Sequence, residues 1–573
     1  MTEQQHSSPF FAIRHYLVLS LFALMFVGLV VRAAYLQVYN QDFLLGEGSQ
    51  RQLRTIETPA YRGAILDRFG TPLAISTPVD SVWANPKLAL LNQSGLKKTA
   101  KVLGIDFKEN LENLKQRANR EFVYLKRRVR PELAQKAVQD VTGLYLQREY
   151  ERFYPEGEIA SHLIGFTDID NIGQEGMERI YQDHLKAISG KRQVLRNRKG
   201  QVVEDIAQVS AAHSGKDLYT SLDMRLQYIA YRSLASAIQY HKAKSGSAVL
   251  IDAHSGEVLA MVNLPSYNPN SHQNQTASHR RNRSITDVFE PGSVIKPFTL
   301  AAALDRKLFG RKSVINTAPG YMKVTGYPIR DFRNYGALDL AGILAKSSNV
   351  GASKIAMKMK PEQLWKSFTD YGFGEPSGVS FPAASSGYFR HFMDWQPLDH
   401  ATMAFGYGLS VSTLQLARAY TIFANEGELL PARLLRLEQG DEPKKTKVMK
   451  ATTARQVLSM MEQVVGPKGT AQQAAITGYR VAGKTGTTKK STAGGYLEDS
   501  YMSVFAGVVP VSNPRLVMAV MIDEPKENGY YGGQVAAPVF QQVMTQALRL
   551  MNISPDDLPA LQQVASAKER GVL

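Results

Sequence analysis

Cysteine is absent from this chain of 573 residues. The protein therefore has no disulfide, no thiolate metal site and no cysteine nucleophile. The absence of cysteine does not identify the cellular compartment of the protein, because an exported protein can also lack disulfides. Zinc-finger spacing and the aromatic motif of RNA-binding modules are missing as well, so nucleic acid is not an expected partner. These absences exclude thiol chemistry and leave nucleic-acid binding without a motif.

The composition is that of a folded protein with a strong basic excess. Hydrophobic residues make up 44% and charged residues 21%, and the net charge is +17. The length allows two or more domains, each with its own core. The basic residues form clusters at 124–130, 190–200 and 279–283. Such clusters suit an anionic membrane surface or polymer, although most charge runs are only solvated.

A single long apolar run lies near the amino terminus. Residues 16–31 contain no charged side chain, and the run continues as "AAYLQV" after Arg32. It is slightly shorter than the ~20 residues of a spanning helix, but Arg32 can snorkel and residues 33–36 can complete the span. A cleaved signal peptide is the alternative, and "VRA" at 31–33 resembles a cleavage site only loosely. We predict a retained anchor over 16–36.

The pattern of predicted secondary structure changes near residue 217. Before it, short strands meet at a turn at Phe69-Gly70, and residues 131–139 and 177–184 have helical patterns. After it, 245–265 and 503–523 are hairpin patterns with helical stretches between them. This order predicts an α+β domain whose antiparallel sheet joins distant parts of the chain. The predicted divisions are a tail at 1–15, the anchor at 16–36, a first domain at 37–216, a second domain at 217–551 and a tail at 552–573.

The stretch "FEPGSVIKPFTLAAAL" places Ser293 three residues before Lys296. In a helix these side chains share a face, and a lysine that can lose its proton is a base for a serine nucleophile. Pro297 belongs near the start of a helix, which puts Ser293 in or just before the first turn. There the positive end of the helix favours negative charge on a tetrahedral intermediate. The same spacing at Ser94 and Lys97 lies in a polar stretch and predicts a solvated surface.

Two further short motifs follow in the chain. Ser347 and Asn349 are two residues apart in "LAKSSNVGASKIA", on a predicted loop that opens into a helix. Farther on, "YRVAGKTGTTKKS" predicts a strand carrying Lys484-Thr485-Gly486, where a glycine lets another backbone or a ligand approach. Each motif alone is weak, because Ser266 and Asn268, and Lys244-Ser245-Gly246, match them too.

The ordered triple of these motifs is a strong signal. It is the signature of penicillin-binding proteins and class A β-lactamases. In that setting Lys296 takes the proton from Ser293, and a second ammonium at Lys484 helps to hold Lys296 neutral.

Longer stretches make the resemblance more specific. "YRGAILDRFGTPLAISTPVDSVWANPK", "RFYPEGEIASHLIGFTD" and "GQEGMERIYQDHL" resemble the pedestal motifs of class B penicillin-binding proteins of the septal, penicillin-binding protein 3 type. "SSNVG", "FGYGLSVSTLQLARAY" and "VAGKTGTT" resemble their catalytic blocks. A β-lactamase is much shorter, and a class A enzyme would carry glycosyltransferase motifs before the pedestal. The elongation-type class B enzyme is the closest rival.

This resemblance implies the fold class: α+β, with an N-terminal transmembrane helix, an elongated pedestal domain at 37–216 and a transpeptidase domain at 217–551. The transpeptidase domain would be of the penicillin-binding and serine β-lactamase type, with a central antiparallel sheet flanked by helices. It also implies an inner-membrane, single-pass protein with a cytoplasmic amino terminus and a periplasmic catalytic domain.

The resemblance also implies the reaction. Ser293 would attack the bond between the two terminal D-alanines of a peptidoglycan stem pentapeptide, and an amine on a neighbouring stem would then take the acyl group. Lys296 would be the base, Ser347 would relay a proton to the leaving amine, and Asn349 would hold a substrate amide. β-Lactams would acylate Ser293 as mimics of the dipeptide.

The third motif would bind the substrate. Lys484 would supply positive charge, and the hydroxyls of Thr485 and Thr487, beside Gly486, would hold the terminal carboxylate. The backbone N–H groups of Ser293 and Thr487 would stabilise the oxyanion. No metal or other cofactor is implied.

The implied partners are a polytopic glycosyltransferase of the septal synthase and small bitopic divisome proteins, with the pedestal and residues 16–36 as contact surfaces. A different class of function stays open: a silent β-lactam sensor or a division scaffold. A sensor would be expected to carry further membrane spans or a cytoplasmic effector domain, for which residues 1–15 are too few.

Overall fold

The computed structural model describes residues 9–43, 53–196, 202–271, 276–438, 440–492 and 495–557. Contacts divide the chain into two compact units. The first unit contains the residues up to Tyr61 together with Ala187–Ser214, and the second contains Arg62–Lys186 and the chain from Gly215 onward. The predicted tail at 552–573 is described only as far as Asp557.

The helices are concentrated in the second unit. They are α1 (Pro9–Ala34), α2 (Pro86–Ala89), α3 (Gln93–Leu103), α4 (Phe107–Gln116), α5 (Pro131–Val138), α6 (Ser161–Ile164), α7 (Gly176–Ile180), α8 (Gln182–Leu185), α9 (Met224–Tyr240), α10 (Ala277–Arg280), α11 (Arg283–Thr286), α12 (Lys296–Asp305), α13 (Leu340–Ala345), α14 (Asn349–Ala356), α15 (Pro361–Asp370), α16 (Pro397–Met403), α17 (Thr413–Ala424), α18 (Ala451–Val465), α19 (Gly532–Val535) and α20 (Ala537–Leu550). Short 3₁₀ turns cover Gly292–Ile295, Phe392–Asp394 and Gln472–Ala474, and a π-helical turn covers Tyr35–Tyr39.

The strands occur in both units. They are β1 (Leu53–Thr58), β2 (Ile65–Leu66), β3 (Pro72–Ala84), β4 (Val123–Val129), β5 (Leu144–Phe153), β6 (Gly190–Arg196), β7 (Val202–Ser210), β8 (Leu218–Tyr219), β9 (Ser245–Asp252), β10 (Val258–Leu264), β11 (Val314–Asn316), β12 (Tyr321–Val324), β13 (Tyr327–Arg330), β14 (Ala337–Asp339), β15 (Tyr388–Phe389), β16 (Leu409–Ser410), β17 (Glu428–Leu429), β18 (Thr446–Lys447), β19 (Ala482–Thr492), β20 (Gly495–Val509) and β21 (Leu516–Asp523).

The first unit contains the apolar helix and a small sheet. Helix α1 and the turn that follows provide a span at Ile13–Tyr39 with a mean hydropathy of 2.4, long and apolar enough to cross a membrane. The side chains of α1 from Ile13 to Ala34 are exposed to the surroundings, as an anchor in lipid requires. Strands β1, β6 and β7 form an antiparallel sheet in that order. The helix agrees with the predicted single-pass anchor.

The central sheet of the second unit has five antiparallel strands in the order β10-β9-β21-β20-β19. Both predicted hairpins are confirmed: β9 and β10 turn at 253–257, and β20 and β21 turn at 510–515. All residues of β9, β10 and β21 are buried, so helices cover both faces of the sheet. The sheet joins the start of the domain to its end, as predicted, and leaves β19 at one edge.

Two groups of helices pack on this sheet. Helices α9 and α20 contact each other and the sheet, while α17 contacts β9, β20 and β21, and α18 contacts β19. Phe298 of α12 is fully buried among aromatic rings that include Tyr420 and Phe423, with centroids 5.3 and 4.9 Å away. This packing places the 3₁₀ turn Gly292–Ile295, just before α12, against the edge of the sheet at β19.

A second sheet lies in the earlier part of the same unit. Strands β4, β3, β2 and β8 follow one another across it, and β5 also pairs with β3. The turn between β2 and β3 contains Phe69-Gly70, and α5 spans Pro131–Val138, as the sequence predicts. The stretch 177–184 is helical, as the sequence predicts, with one interruption. It is two short helices, α7 and α8, separated by Tyr181, whose φ of −103° departs from helical geometry.

A buried ion cluster ties three segments of this unit together. Glu178 is fully buried, and its two carboxylate oxygens each accept a hydrogen bond at 2.6 Å, from Nε of Arg62 and from Nε of Arg152. Arg62 also donates to the Glu178 carbonyl at 2.7 Å. The two arginines are themselves buried, so a single carboxylate compensates two buried cations.

Removal of this carboxylate should therefore be costly. Glu178→Ala leaves two buried guanidinium groups uncompensated, and we expect a loss of about 3–5 kcal/mol in the free energy of unfolding. Chemical denaturation followed by circular dichroism measures it. Glu121→Ala is the matched control, because Glu121 pairs with Lys87 at 3.9 Å on the surface and should change stability by less than about 1 kcal/mol. Equal stability of the two variants would contradict this role.

Candidate active site

Ser293 lies in the 3₁₀ turn that leads into α12. The backbone N–H of Lys296 donates to the Ser293 carbonyl, and Pro297 occupies the first turn of the helix, as the sequence predicts. In a 3₁₀ turn residues i and i+3 lie on the same face, so Ser293 and Lys296 share one side of the chain. Gly292 before the serine has a φ of +62°, and a Cβ there would collide with Thr488. The turn therefore requires glycine at this position.

The Lys296 amine reaches the second motif. It is fully buried and donates to the Ser347 carbonyl at 2.5 Å, to Ser347 Oγ at 3.1 Å and to Asn349 Oδ1 at 2.8 Å. Among the described residues, no hydrogen bond joins this amine to the half-buried Ser293 hydroxyl. The expected contact within the first motif is thus replaced in this state by contacts with Ser347 and Asn349, because a buried amine needs acceptors.

Lys484 approaches the same hydroxyl from the sheet. It lies in β19, where it is fully buried, and its Nζ donates to Ser347 Oγ at 3.1 Å. It also donates to the carbonyl and the hydroxyl of Thr485, at 3.1 and 3.3 Å. The Ser347 hydroxyl therefore lies between two buried lysines.

This arrangement changes the ionisation of both lysines. Burial lowers the pKa of Lys296 well below its ordinary value, the positive charge of Lys484 lowers it further, and Asp331 opposes the shift. Burial lowers the pKa of Lys484 to about 7. The direction for Lys296, and the part that Lys484 plays in it, agree with the sequence-based expectation. Both shifts favour the neutral form of the amine, and the shift of Lys484 places its titration near neutral pH.

Asn349 is held by residues that the sequence motif does not contain. Its side-chain N–H donates to the Arg330 carbonyl at 3.1 Å, which turns its oxygen toward Lys296. Asp331 accepts the backbone N–H groups of Asn349 and Val350 at 2.6 and 3.0 Å, and the Ser348 hydroxyl at 2.6 Å. Sequence reasoning missed Asp331, since it belongs to no local pattern with the motif that it supports.

The third motif forms the sheet edge of the site. The Thr485 hydroxyl is 3.0 Å from the Thr470 hydroxyl, and Thr487 Oγ1 accepts the backbone N–H of Gly532 at 2.9 Å. A Cβ at Gly486 would lie 2.6 Å from the Pro291 carbonyl oxygen. The expected close approach at this glycine is confirmed, and the approaching group is the backbone just before Ser293. Thr470 and Gly532 were not found from the sequence.

The sequence also did not indicate the role of Glu290, which lies close to the nucleophile and connects neighbouring segments. Glu290 accepts the Gly408 N–H and the Tyr496 hydroxyl, both at 3.0 Å, and its carbonyl accepts the Thr488 hydroxyl at 3.1 Å. It thereby links β19 and β20 to the loop before β16 at the approach to Ser293.

The weaker candidates lie outside this arrangement. Ser94 and Lys97 are exposed on α3, which confirms the predicted solvated surface. His162 is buried, its Nε2 lies 2.7 Å from the His279 carbonyl, and burial lowers its pKa to about 4, as suits a structural histidine. Within the described ranges no three His, Asp or Glu side chains are grouped to hold a metal ion.

Two known protein families match this chain. Residues 246–545 match the penicillin binding protein transpeptidase domain, and residues 57–220 match the penicillin-binding protein dimerisation domain. The chain is 40% identical to a probable peptidoglycan D,D-transpeptidase, PbpC, of Pseudomonas aeruginosa, over 97% of this chain and 99% of the relative. It is 40% identical to the peptidoglycan D,D-transpeptidase FtsI of Escherichia coli, over 97% and 95%.

Solved structures agree. The transpeptidase domain of Burkholderia pseudomallei penicillin-binding protein 3 is 44% identical, covers 59% of this chain and 98% of its own, and gives a TM-score of 0.55. A peptidoglycan synthetase from Bifidobacterium adolescentis, 24% identical, covers 89% and 98% with a TM-score of 0.70, which shows the fold alone. The chain belongs to the penicillin-binding protein transpeptidase family. The predicted class B, septal type is confirmed.

Proposed function

We propose that the protein is a serine D,D-transpeptidase that cross-links peptidoglycan stem peptides at the division septum. The observation that carries the proposal is the pair of fully buried lysines, Lys296 and Lys484, which both donate to the Ser347 hydroxyl at 3.1 Å. When Lys296 is neutral and Lys484 is charged, the amine, the hydroxyl and the ammonium form a path for a proton. The family and the relatives' names support this activity.

In the first half-reaction Ser293 Oγ attacks the carbonyl carbon between the two terminal D-alanines. Its proton passes to the neutral amine of Lys296, on the same face of the turn. The backbone N–H groups of Ser293 and Thr487 stabilise the oxyanion of the tetrahedral intermediate. The C–N bond then breaks, the leaving amine takes the Ser347 proton, and Ser347 is reprotonated by Lys296. D-Alanine departs and an ester on Ser293 remains.

In the second half-reaction an amine of a neighbouring stem attacks that ester. The new amide bond forms as the bond to Ser293 Oγ breaks, and the proton of the amine returns to the serine through Lys296. Asn349, whose amide is oriented by the Arg330 carbonyl, holds a substrate amide. β-Lactams present a similar carbonyl beside a carboxylate and acylate Ser293 in the same way.

The carboxylate of the substrate is held at the sheet edge. The Thr485 and Thr487 hydroxyls lie on β19, next to Gly486. Because Gly486 has no side chain, the backbone just before Ser293 can approach the strand closely. The Lys484 ammonium supplies positive charge there. A charge-assisted hydrogen bond of this kind is stronger than a neutral one.

We further propose the arrangement in the cell. Residues 16–36 are a retained anchor in the inner membrane, residues 1–15 are cytoplasmic, and the pedestal (37–216) and transpeptidase domain (217–551) are periplasmic, followed by a tail at 552–573. The apolar span at Ile13–Tyr39 supports a single crossing. A polytopic glycosyltransferase and bitopic divisome proteins are the proposed partners, through the pedestal and the anchor.

Intact-mass spectrometry of the full-length protein in detergent with benzylpenicillin tests the nucleophile. We expect one covalent adduct that persists in the wild type and is absent in Ser293→Ala. Ser94→Ala is the matched control, because it removes the same motif at an exposed position and should react normally. An adduct on Ser293→Ala, or rapid turnover without an adduct, would contradict the proposal; the second result would indicate a β-lactamase.

The pH dependence of acylation tests the two lysines. The second-order rate constant reports the free enzyme, so it should rise as Lys296 loses its proton and fall as pH rises through about 7, where Lys484 loses its charge. Labelling with a fluorescent penicillin between roughly pH 5 and 9 gives the profile. In Lys484→Arg the cation persists, so the alkaline fall should move to higher pH. An unchanged alkaline limb in that variant would show that Lys484 is not its source.

Asp331 should also affect the pH dependence of acylation. Asp331→Asn keeps the shape but removes the negative charge that opposes the lowering of the Lys296 pKa, so the acidic limb should move to lower pH. Asp331→Ala also leaves two backbone N–H groups without an acceptor and should slow acylation by about tenfold or more. The control is Asp339→Asn, which changes a helix-capping carboxylate outside the site. An identical acidic limb in wild type and Asp331→Asn would refute this role.

A further inference from the structure

A cationic and aromatic patch lies on β12, β13 and the loop that follows. Arg330 ends β13, and Phe332 and Arg333 follow after Asp331. Both arginines are exposed, and the Phe332 side chain is 88% exposed. A large apolar side chain so completely exposed between two cations has no packing role in the described part of the chain. Two guanidinium groups beside an exposed aromatic ring offer contacts to a ligand that carries both carboxylates and apolar surface.

The two guanidinium groups are held but not neutralised. Arg330 lies over the Tyr321 ring at 5.7 Å, and Arg333 lies over the Tyr335 ring at 5.4 Å. In the described residues neither of them forms an ion pair with a carboxylate. The carboxylate between them in sequence, Asp331, is occupied by the N–H groups of Asn349 and Val350. The patch therefore keeps two positive charges available to an anion.

The patch adjoins the proposed reaction centre. The carbonyl of Arg330 accepts the Asn349 side-chain N–H at 3.1 Å, and Asn349 in turn contacts the Lys296 amine at 2.8 Å. A substrate amide held by Asn349 would thus lie close to Arg330. The patch lies on the Asn349 side of the site, whereas the terminal carboxylate is proposed to bind at β19.

We propose that Arg330, Phe332 and Arg333 form a subsite for a stem peptide that carries carboxylates besides its terminal one. This inference rests on the proposed function. Arginine pairs with carboxylates through two parallel N–H···O bonds, and the Phe332 ring supplies apolar surface to the peptide chain. The peptide that occupies the subsite is either the donor or the acceptor of the acyl group, since both carry the same carboxylates.

Rates with matched peptides test the subsite in full-length protein. Two synthetic stem pentapeptides ending in D-alanyl-D-alanine differ only in that the additional carboxylates of one are amidated, and kcat/KM for D-alanine release is measured for each. A second arm uses a neutral thioester donor and compares the rates of acyl transfer to acidic and to amidated acceptor peptides. In one arm the wild type should prefer the acidic peptide by about tenfold, a typical contribution of a charge-assisted contact. The arm that shows the preference identifies donor or acceptor.

The ratio of acidic to amidated rates is compared among variants, so that a general loss of activity cancels. Arg330→Gln combined with Arg333→Gln should bring the ratio to about one, and Arg333→Lys should retain part of it. Phe332→Ala should slow both peptides alike. Arg232→Gln is the matched control, because Arg232 is exposed and lies over Tyr228 at 5.7 Å on α9; its ratio should equal that of the wild type.

Equal rates for acidic and amidated peptides in both arms with the wild type would overturn the subsite, and so would a ratio that persists in the double glutamine variant. Failure of the proposed function has a different signature. In that case the wild type would release no D-alanine from either peptide and would form no adduct with benzylpenicillin.

Discussion

Two buried lysines that share one hydroxyl are the constraint on which the rest of the site depends. Full burial of two ammonium groups that contact the same hydroxyl is costly, so the site favours the neutral form of these amines. Burial and the charge of Lys484 both lower the pKa of Lys296. The consequence is a base without a histidine or a carboxylate as the proton acceptor. Its position in the site is set by Ser347, whose hydroxyl and carbonyl both accept from it.

Three separate parts of the chain must converge for this contact to exist. The 3₁₀ turn before α12 brings Ser293 and Lys296, the N-terminus of α14 brings Asn349, and the edge strand β19 brings Lys484. Close approach of backbones makes the convergence possible. At Gly486 a side chain would meet the Pro291 carbonyl, and at Gly292 it would collide with Thr488. The positions of the reacting groups therefore depend on tight packing between the 3₁₀ turn that carries Ser293 and the sheet.

Identical local patterns gave different outcomes in this protein. Ser94 and Lys97 have the same spacing as Ser293 and Lys296, yet they lie exposed on α3 and serve as surface. The sequence signals that separated the two were Pro297 and the apolar run after it. Conversely, Asp331 and Thr470 carry no sequence signal, because each supports a motif from which it is separated along the chain. Glu290 lies next to the first motif, but its partners Gly408 and Tyr496 are far away in sequence. The break at Tyr181 was missed for a related reason, since periodicity does not locate a one-residue interruption.

The sequence by itself determined the local structure and the chemistry on offer. Alternating and continuous apolar runs specified both hairpins of the central sheet, proline specified the start of α12, and the order of three short motifs specified the family. Only the tertiary structure decided which groups meet. It placed Ser347 between Lys296 and Lys484. A hydrogen bond to the Arg330 carbonyl orients the side-chain amide of Asn349. Arg330 and Arg333 have no carboxylate partner among the described residues. The reason is that pKa values and hydrogen-bond orientation depend on burial and on charges supplied by residues far apart in sequence.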